Sequence, residues 1–198
     1  MAVTTDMIRE LRDKTGAGVL DCKRALEDNG GDMEAALAEL RRKGLAAAAK
    51  KAHRVAAEGR VEPYVHAGGK LATIVEVNCE TDFVARTEEF IALSHDLAMQ
   101  VAASNPRWVS RSDVPAEVIA EETSRYEEEM AGQNKPPAVM ERIIKGKLEK
   151  FYQDHCLLDQ AYIREPERNV QSLITDTITK MGENIVVRRF ARFQIGAE

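Results

Sequence analysis

The segment RVEPYVHAGGKLATIVEVNCETDFVAR, residues 60–86, contains the change from an alternating to a helical pattern that decides the fold. Its runs RVEPYVH and KLATIVEVN are rich in residues that favour β-strands, and Ala67, Gly68 and Gly69 between them suit the positive φ values of a hairpin turn. Pro63 cannot donate a hydrogen bond to a neighbouring strand, so the first run belongs at the edge of a sheet. The segment therefore predicts a β-hairpin that leads into a helix.

Phe83 stands at the junction of the two patterns, in NCETDFVAR, residues 78–86. A core phenylalanine should continue either the alternation of the strand or the apolar stripe of the helix, but Glu80 and Asp82 interrupt both. Two interpretations are open from the pattern alone. The ring is core and lies under the hairpin, or it protrudes and serves a function.

The residues before the hairpin predict a three-helix bundle over residues 1–44. A threonine near the N-terminus can cap a first helix that Gly16 ends, and Asp32 can cap a third helix that Gly44 ends. Residues 45–59 are rich in alanine, which favours helix, and predict a helical connector.

The remaining residues, 60–198, predict an α+β core. A helical hairpin is expected over about residues 116–155, and residues 183–195 predict a closing strand. The fold class is therefore α+β, with the bundle followed by an antiparallel sheet that helices cover on one face and from which the helical hairpin protrudes. In the closing strand, Ile185, Val187, Ala191, Phe193 and Ile195 are expected near one face, and Arg188 and Arg192 on the other.

Composition excludes several classes of protein. A net charge of -5 argues against a general nucleic-acid binder. No apolar run approaches the roughly 18 to 20 residues that span a bilayer, and the N-terminus does not resemble a signal peptide, so a cytoplasmic location without membrane contact is expected. Cys22, Cys79 and Cys156 are odd in number and far apart, which predicts neither a disulfide framework nor a zinc site.

The sequence offers no convincing catalytic centre. Gly68, Gly69 and Lys70 lack the other residues of a phosphate-binding loop, and the four histidines are scattered. No catalytic residue, metal ligand or cofactor is therefore predicted, and a binding protein is favoured over an enzyme. Two other binding functions are an adaptor that uses the bundle alone, and an RNA-binding protein that uses the arginines and phenylalanines of residues 188–193.

Four motifs together are far more specific than any of these features: LRDKTGAGVLDCKRAL (residues 11–26), AAAKKAHRVAAEG (47–59), VEVNCETDFVAR (75–86) and MGENIVVRRFARF (181–193). They resemble bacterial translation elongation factor Ts, the guanine-nucleotide exchange factor of elongation factor Tu, and the likeness runs nearly end to end. The resemblance implies that the first bundle is similar to a ubiquitin-associated domain. It also implies one core unit, as in the short members of the family.

The resemblance further implies the mechanism and the contact residues. Asp82 and Phe83, within the set Thr81, Asp82, Phe83 and Val84, are expected to enter the GTPase domain of elongation factor Tu and to dislodge its magnesium ion. Arg12, Val19, Leu20, Lys23, Asn78 and Cys79 are expected to be further partner-binding positions.

From the pattern alone, Arg12 and Lys23 could equally be solvated, and Val19 and Leu20 could equally be core of the bundle. The resemblance also implies a homodimer that binds two partner molecules. Ala191 stands where some short members carry cysteine, so no covalent dimer is expected, and the pairing is expected to rest on packing of the last strand and the hairpin.

Overall fold

The computed structural model describes residues 3–131 and 136–197. The mixed α+β class is confirmed. The helices and strands are, in chain order, α1 (Thr5–Thr15), α2 (Val19–Asp28), α3 (Met33–Lys51), β1 (Glu58–Val65), β2 (Leu71–Cys79), α4 (Asp82–Ala85), α5 (Glu88–Ser104), α6 (Ala116–Met130), α7 (Pro137–His155), β3 (Ala161–Tyr162), β4 (Glu165–Asn169), α8 (Val170–Met181) and β5 (Val186–Gln194).

The chain divides into two compact units. The division into residues 1–44, 45–59 and 60–198 stays a prediction. The first unit consists of Met1–Glu62, Glu76–His95 and Ser172–Arg188, and the second of Pro63–Val75, Asp96–Gln171 and Arg189–Glu198.

The three-helix bundle of the first unit is confirmed. The Thr4 hydroxyl caps α1 by accepting from the Met7 amide at 3.3 Å, and Gly16 ends it in the left-handed conformation with φ of 65°. The Asp32 carboxylate caps α3 by accepting from the Ala35 amide at 3.0 Å. These caps satisfy helix-end amides and leave apolar faces to meet in one cluster. Its buried members are Leu11, Cys22, Ala25, Leu26, Ala36, Leu37 and Leu40.

The predicted end of the third helix at Gly44 is wrong. Helix α3 continues to Lys51, and Gly44 is buried within it, where an added Cβ would lie 3.1 Å from the Thr179 hydroxyl oxygen. A helical glycine costs only about 1 kcal/mol relative to alanine, and the four alanines that follow favour helix strongly enough to carry the element through. Gly44 therefore permits a close approach and does not terminate the helix.

The β-hairpin and the edge position of Pro63 are confirmed. The sheet has the strand order β1-β2-β5, so β1 lies at the edge among the described strands. The His66 amide donates to the Leu71 carbonyl at 2.8 Å across the turn, where Gly68 and Gly69 have φ values of 89° and 67°. Alternate residues of β2 are buried, namely Thr73, Val75, Val77 and Cys79.

The predicted face of the closing strand is wrong. Val187 is buried, but Phe193 and Ile195 are 66% and 75% exposed. Arg192 points the other way from the expected pattern and donates from Nε to the Ala102 carbonyl at 3.2 Å. The physical reason is local, because Arg188 and the residue after it are both exposed and interrupt the period of two.

The helical hairpin of the second unit is confirmed as α6 and α7, whose outer bounds are residues 116 and 155. Its turn, residues 132–135, lies outside the described residues. Arg111 forms ion pairs with Glu149 and Asp159, each at 2.8 Å, beside a buried cluster of Val114, Phe151 and Cys156. The short pairing of β3 with β4 was not predicted, because β3 has only two residues and three of the five residues of β4 are charged.

No helix in residues 3–131 and 136–197 combines the length and the apolar character needed to cross a membrane.

Replacing Gly59 with alanine is expected to destabilise the fold by about 2 kcal/mol or more. Gly59 has φ of 148°, and an added Cβ would lie well inside van der Waals distance of the Val77 carbonyl oxygen. Gly146→Ala in α7 is the matched control, since nothing lies within 4 Å of its added Cβ and it should be neutral or stabilising by up to about 1 kcal/mol. Urea unfolding measures both, and equal stabilities would contradict the close approach at residue 59.

Candidate functional site

The loop that carries Phe83 is a single helical turn at the end of β2. We call residues 81–84 the Phe83 loop. The Thr81 hydroxyl caps the turn by accepting from the Val84 amide at 3.3 Å, and the Thr87 hydroxyl then caps the N-terminus of α5 by accepting from the Phe90 amide at 3.3 Å. The two caps fix where one helix ends and the next begins.

The ring of Phe83 protrudes, and the core interpretation is wrong. Phe83 is 77% exposed, whereas Val84 and Ala85 are 7% and 8% exposed. One helical turn places adjacent side chains on different faces, so the burial of Val84 and Ala85 directs Phe83 outward. An exposed phenylalanine forgoes the roughly 1.5 to 3 kcal/mol that burial would yield. The first unit therefore presents an aromatic ring at its surface.

The neighbours of the ring divide into exposed and supporting residues. The Asp82 carboxylate is 61% exposed and pairs with Arg86 at 2.9 Å. Cys79 is fully buried, and its thiol donates to the Thr81 carbonyl at 3.2 Å. Burial, followed by the charge of Glu183, raises the pKa of Cys79 to about 11. The Cys79 side chain therefore supports the loop from below and offers no surface to a partner.

Two acidic side chains hold the Phe83 loop to the turn after α8. Glu183 accepts hydrogen bonds at Oε2 from the amides of Glu80 and Thr81, both at 3.1 Å, and at Oε1 from the Thr81 hydroxyl at 2.6 Å. A carboxylate that accepts from backbone amides makes stronger hydrogen bonds than a neutral acceptor does. Glu183 thus fixes the residues that begin the loop.

Glu80 makes the reciprocal connection. Its Oε1 accepts from the Asn184 amide at 2.6 Å and from Arg54 Nη1 at 3.4 Å, and Asn184 Nδ2 donates to the Arg54 carbonyl at 2.9 Å. The hydrogen bond from the Asn184 amide is the main cause that lowers the pKa of Glu80, and the Arg54 charge adds to it. We call Arg54, Glu80, Thr81, Glu183 and Asn184 the clasp.

The sequence pattern did not predict the clasp. Glu183 and Asn184 lie in MGENIVVRRFARF, which carried the resemblance but suggested no role. The available signal was the acid and amide directly after Gly182, beside a strand that is otherwise apolar or basic. Its partners are more than 100 residues away along the chain.

The N-terminal candidate residues lie around the turn between α1 and α2. Val19 and Leu20 are 51% and 71% exposed, so the interpretation that they are core of the bundle is wrong. The Thr15 hydroxyl donates to the Leu11 carbonyl at 2.7 Å and accepts from the Ala17 amide at 3.2 Å, which shapes the turn. The result is an exposed apolar pair at the start of α2.

Arg12 and Val19 line an open cavity of about 610 Å³ at this turn, together with residues of α8. Thr179 and Lys180 supply that part of the wall. Lys180 also pairs with Glu89 of α5. The end of α8 therefore borders the cavity and leads, a few residues later, into the clasp.

Lys23 and Asn78 are placed less distinctively. Lys23 is exposed and pairs with Glu27 on its own helix at 3.6 Å. Asn78 is half-buried and donates from Nδ2 to the Glu58 carbonyl at 3.2 Å, which ties β2 to β1. Their partner-binding roles stay predictions.

In the part of the chain that the structure describes, no group of three or more His, Cys, Asp or Glu side chains is arranged to hold a metal ion.

Comparison with known proteins gives a consistent family. The family described as "Elongation factor TS" matches residues 44–196. Elongation factor Ts of Thermodesulfovibrio yellowstonii is 55% identical over 99% of this chain and 98% of its own length. Elongation factor Ts of an Anaeromyxobacter species is 55% identical over 98% of this chain and 89% of its own length.

The three cysteines are expected to resist Ellman's reagent in the folded protein at pH 8. All are buried, and burial raises the pKa of Cys79 and of Cys156 to about 11 from 9.0, so the reactive thiolate is scarce. Folding favours the neutral thiols, so their contribution to stability is complete below pH 9 and is lost as pH rises towards 11.

Phe83→Cys is the matched control for this experiment. It places a thiol at a position that is 77% exposed, so it should add one rapidly reacting thiol to the folded protein. Unfolding in guanidinium chloride should release all thiols in both proteins. Rapid reaction of the unsubstituted folded protein, or slow reaction of the thiol that Phe83→Cys adds, would contradict the burial described here.

Proposed function

This chain belongs to the elongation factor Ts family, and from that premise we propose that it binds elongation factor Tu in its GDP form and promotes GDP release through the Phe83 loop. The family consists of nucleotide exchange factors for elongation factor Tu in translation. The observation that carries the finer proposal is the 77% exposed ring of Phe83 on a loop that is capped and clasped. The proposed place of action is the cytoplasm.

The proposed mechanism is a local disturbance of the magnesium site of the partner. Magnesium requires a near-ideal octahedron of oxygen ligands, and it neutralises the phosphates of the bound nucleotide. Insertion of the Phe83 ring, with the Asp82 carboxylate beside it, displaces those ligands and weakens the hold on GDP. The chain itself performs no covalent chemistry and needs no cofactor of its own.

The energy available from the ring has the right order. Burying a phenylalanine yields roughly 1.5 to 3 kcal/mol, and 1.4 kcal/mol corresponds to a factor of ten in affinity. One ring can therefore offset about one to two decades of nucleotide affinity. Coupling between two ligands is reciprocal, so the incoming nucleotide lowers the affinity of the exchange factor for elongation factor Tu to the same extent. The nucleotide thereby displaces the exchange factor.

The N-terminal bundle is proposed to supply the second contact. Val19 and Leu20 are exposed apolar side chains beside the basic Arg12, and such a group suits a partner surface that is apolar with an acidic rim. This contact increases the affinity for elongation factor Tu at a surface distant from the nucleotide. The complex can therefore stay together while the Phe83 ring is inserted.

We also propose the homodimer, with two copies binding two partner molecules. In the second unit, Val65 and Ile74 are 64% and 44% exposed, and Phe193 and Ile195 are exposed as well. Soluble monomers rarely expose large apolar patches, so this face of the hairpin and last strand suits a second copy. The cysteines are buried, which accords with pairing by packing alone.

The arrangement of residues 188–193 does not favour the RNA-binding alternative. Arg192 donates to the Ala102 carbonyl, and Phe190 is half-buried. The arginines and phenylalanines of residues 188–193 therefore do not share one exposed face that could stack bases.

Phe83→Ala is expected to slow GDP release from elongation factor Tu by about ten- to a hundredfold, which corresponds to loss of the buried ring. Its effect on folding should stay within about 0.5 kcal/mol, because the ring is exposed. Stopped-flow fluorescence of a labelled GDP measures the rate, and urea unfolding measures the stability.

Val139→Ala is the control, because Val139 in α7 is also an exposed apolar residue but lies in the second unit. It should leave exchange unchanged and should alter stability by no more than about 0.5 kcal/mol. If Phe83→Ala accelerates GDP release as strongly as the unsubstituted chain does, the proposed role of the ring is overturned.

Phe193→Glu is expected to convert the dimer into monomer, since it places a charge in the proposed apolar interface. Sedimentation velocity of the isolated chain gives the result directly. Val139→Glu in α7 is the control, because Val139 is also an exposed apolar residue but lies outside that face. A monomeric unsubstituted chain, or a Phe193→Glu dimer, would contradict the proposed interface.

A further inference from the structure

The Phe83 loop needs an external hold to keep its shape. It is built on α4, which has only four residues, and so short a helix is unstable by itself in water. The buried Val84 and Ala85 anchor one side of the turn. The other side, where the chain leaves β2, has its backbone amides turned towards a single acidic side chain, that of Glu183.

The carboxylate of Glu183 accepts three hydrogen bonds from this segment. Both of its carboxylate oxygens are used, and the donors are two consecutive amides and the Thr81 hydroxyl. The same hydroxyl oxygen accepts from the Val84 amide and so caps α4. The Glu183 carboxylate therefore sets the position of the hydroxyl that begins the helical turn.

The connection runs in both directions. Glu183 accepts from the backbone of Glu80, and Glu80 accepts from the backbone of Asn184, the residue after Glu183. Two hydrogen-bonded connections in opposite directions restrict both the rotation of residues 80–81 and their distance from residues 183–184. Arg54 completes the arrangement by donating to Glu80 while its own carbonyl accepts from Asn184.

We propose that Glu183 is a positioning residue, which acts through Thr81 to hold the Phe83 ring in the orientation that enters the partner. This inference rests on the proposed function of Phe83. Glu183 itself binds no part of the partner or its nucleotide. Its contribution is preorganisation, because a loop that is already ordered loses less entropy when the ring is inserted.

The test is a double-mutant cycle between Glu183 and Phe83, read as GDP release from elongation factor Tu at increasing factor concentration. Glu183→Ala should lower the maximal release rate by about five- to tenfold, a loss that corresponds to the net contribution of about one hydrogen bond. Glu183→Gln keeps one acceptor oxygen and should fall between Ala and the unsubstituted chain. The concentration that gives half the maximal rate should change less than about twofold, because the proposed contacts of the bundle are intact.

The cycle separates positioning from general damage. If Glu183 acts through the ring, Glu183→Ala should have almost no further effect on exchange in the Phe83→Ala background. A direct contact with the partner, or a purely structural role, would slow exchange equally in both backgrounds and would overturn the inference. Normal exchange by Glu183→Ala, while Phe83→Ala is slow, would overturn it as well.

A failure of the proposed function gives a different result. In that case Phe83→Ala itself would leave exchange unchanged, and the positioning role would fall with it. Hydrogen exchange of the free chain supplies a readout without the partner. The amides of Glu80 and Thr81 should exchange faster in Glu183→Ala, and unchanged protection there would contradict the proposed hold.

Glu165→Ala is the matched control variant, because it also removes a glutamate from an ion pair, with Arg168, but in the second unit. It should leave exchange unchanged, and slowing by this variant equal to that of Glu183→Ala would overturn the specific role. If Glu183→Ala unfolds at the assay temperature, Glu183→Gln carries the same cycle with a smaller expected effect.

Discussion

The alternate burial of β2 is the constraint on which the site depends. Thr73, Val75, Val77 and Cys79 all face inward, and a slip of one residue would turn every one of them to solvent. The register therefore determines that Cys79 is the last inward residue and that the chain turns immediately after it. The thiol of Cys79 then meets the Thr81 carbonyl, so the position of the loop follows from the burial of a strand.

The exposed ring is compatible with a stable fold because the polar groups around it are satisfied. The carboxylates of Glu80 and Glu183 accept from backbone amides, and Asp82 pairs with Arg86. The loop therefore leaves the large apolar ring of Phe83 in solvent next to the exposed Asp82 carboxylate, while Val84 and Ala85 are buried. An exposed ring of this size suits the partner contact proposed above.

Local pattern was sufficient for much of this fold. The spacing of apolar residues and the positions of glycine and proline predict the β-hairpin, the bundle and both outer ends of the helical hairpin. The orientation of Phe83 could not be derived in that way, because it depends on which residues of one short helical turn are buried, and the residue before that turn is bonded 102 positions away along the chain. The length of α3 was predicted wrongly because the helix continues through Gly44, which lies against Thr179 of α8. The face of β5 was predicted wrongly because two consecutive exposed arginines, Arg188 and Arg189, interrupt the alternation of buried and exposed residues within the strand. Sequence thus indicated the candidate site but not the residues that support the loop.

The continuity of α3 through Gly44 has a mechanical consequence. The helix has 19 residues and is roughly 28 Å long, and it begins in the bundle and ends three residues before Arg54. Lys51 donates to the Ile178 carbonyl at 3.4 Å, which fastens the far end of this rod to α8. An unbroken helix therefore leads from the bundle to Arg54, which donates to Glu80 and accepts from Asn184, so hydrogen bonds within the first unit connect the bundle to the segment that carries Phe83.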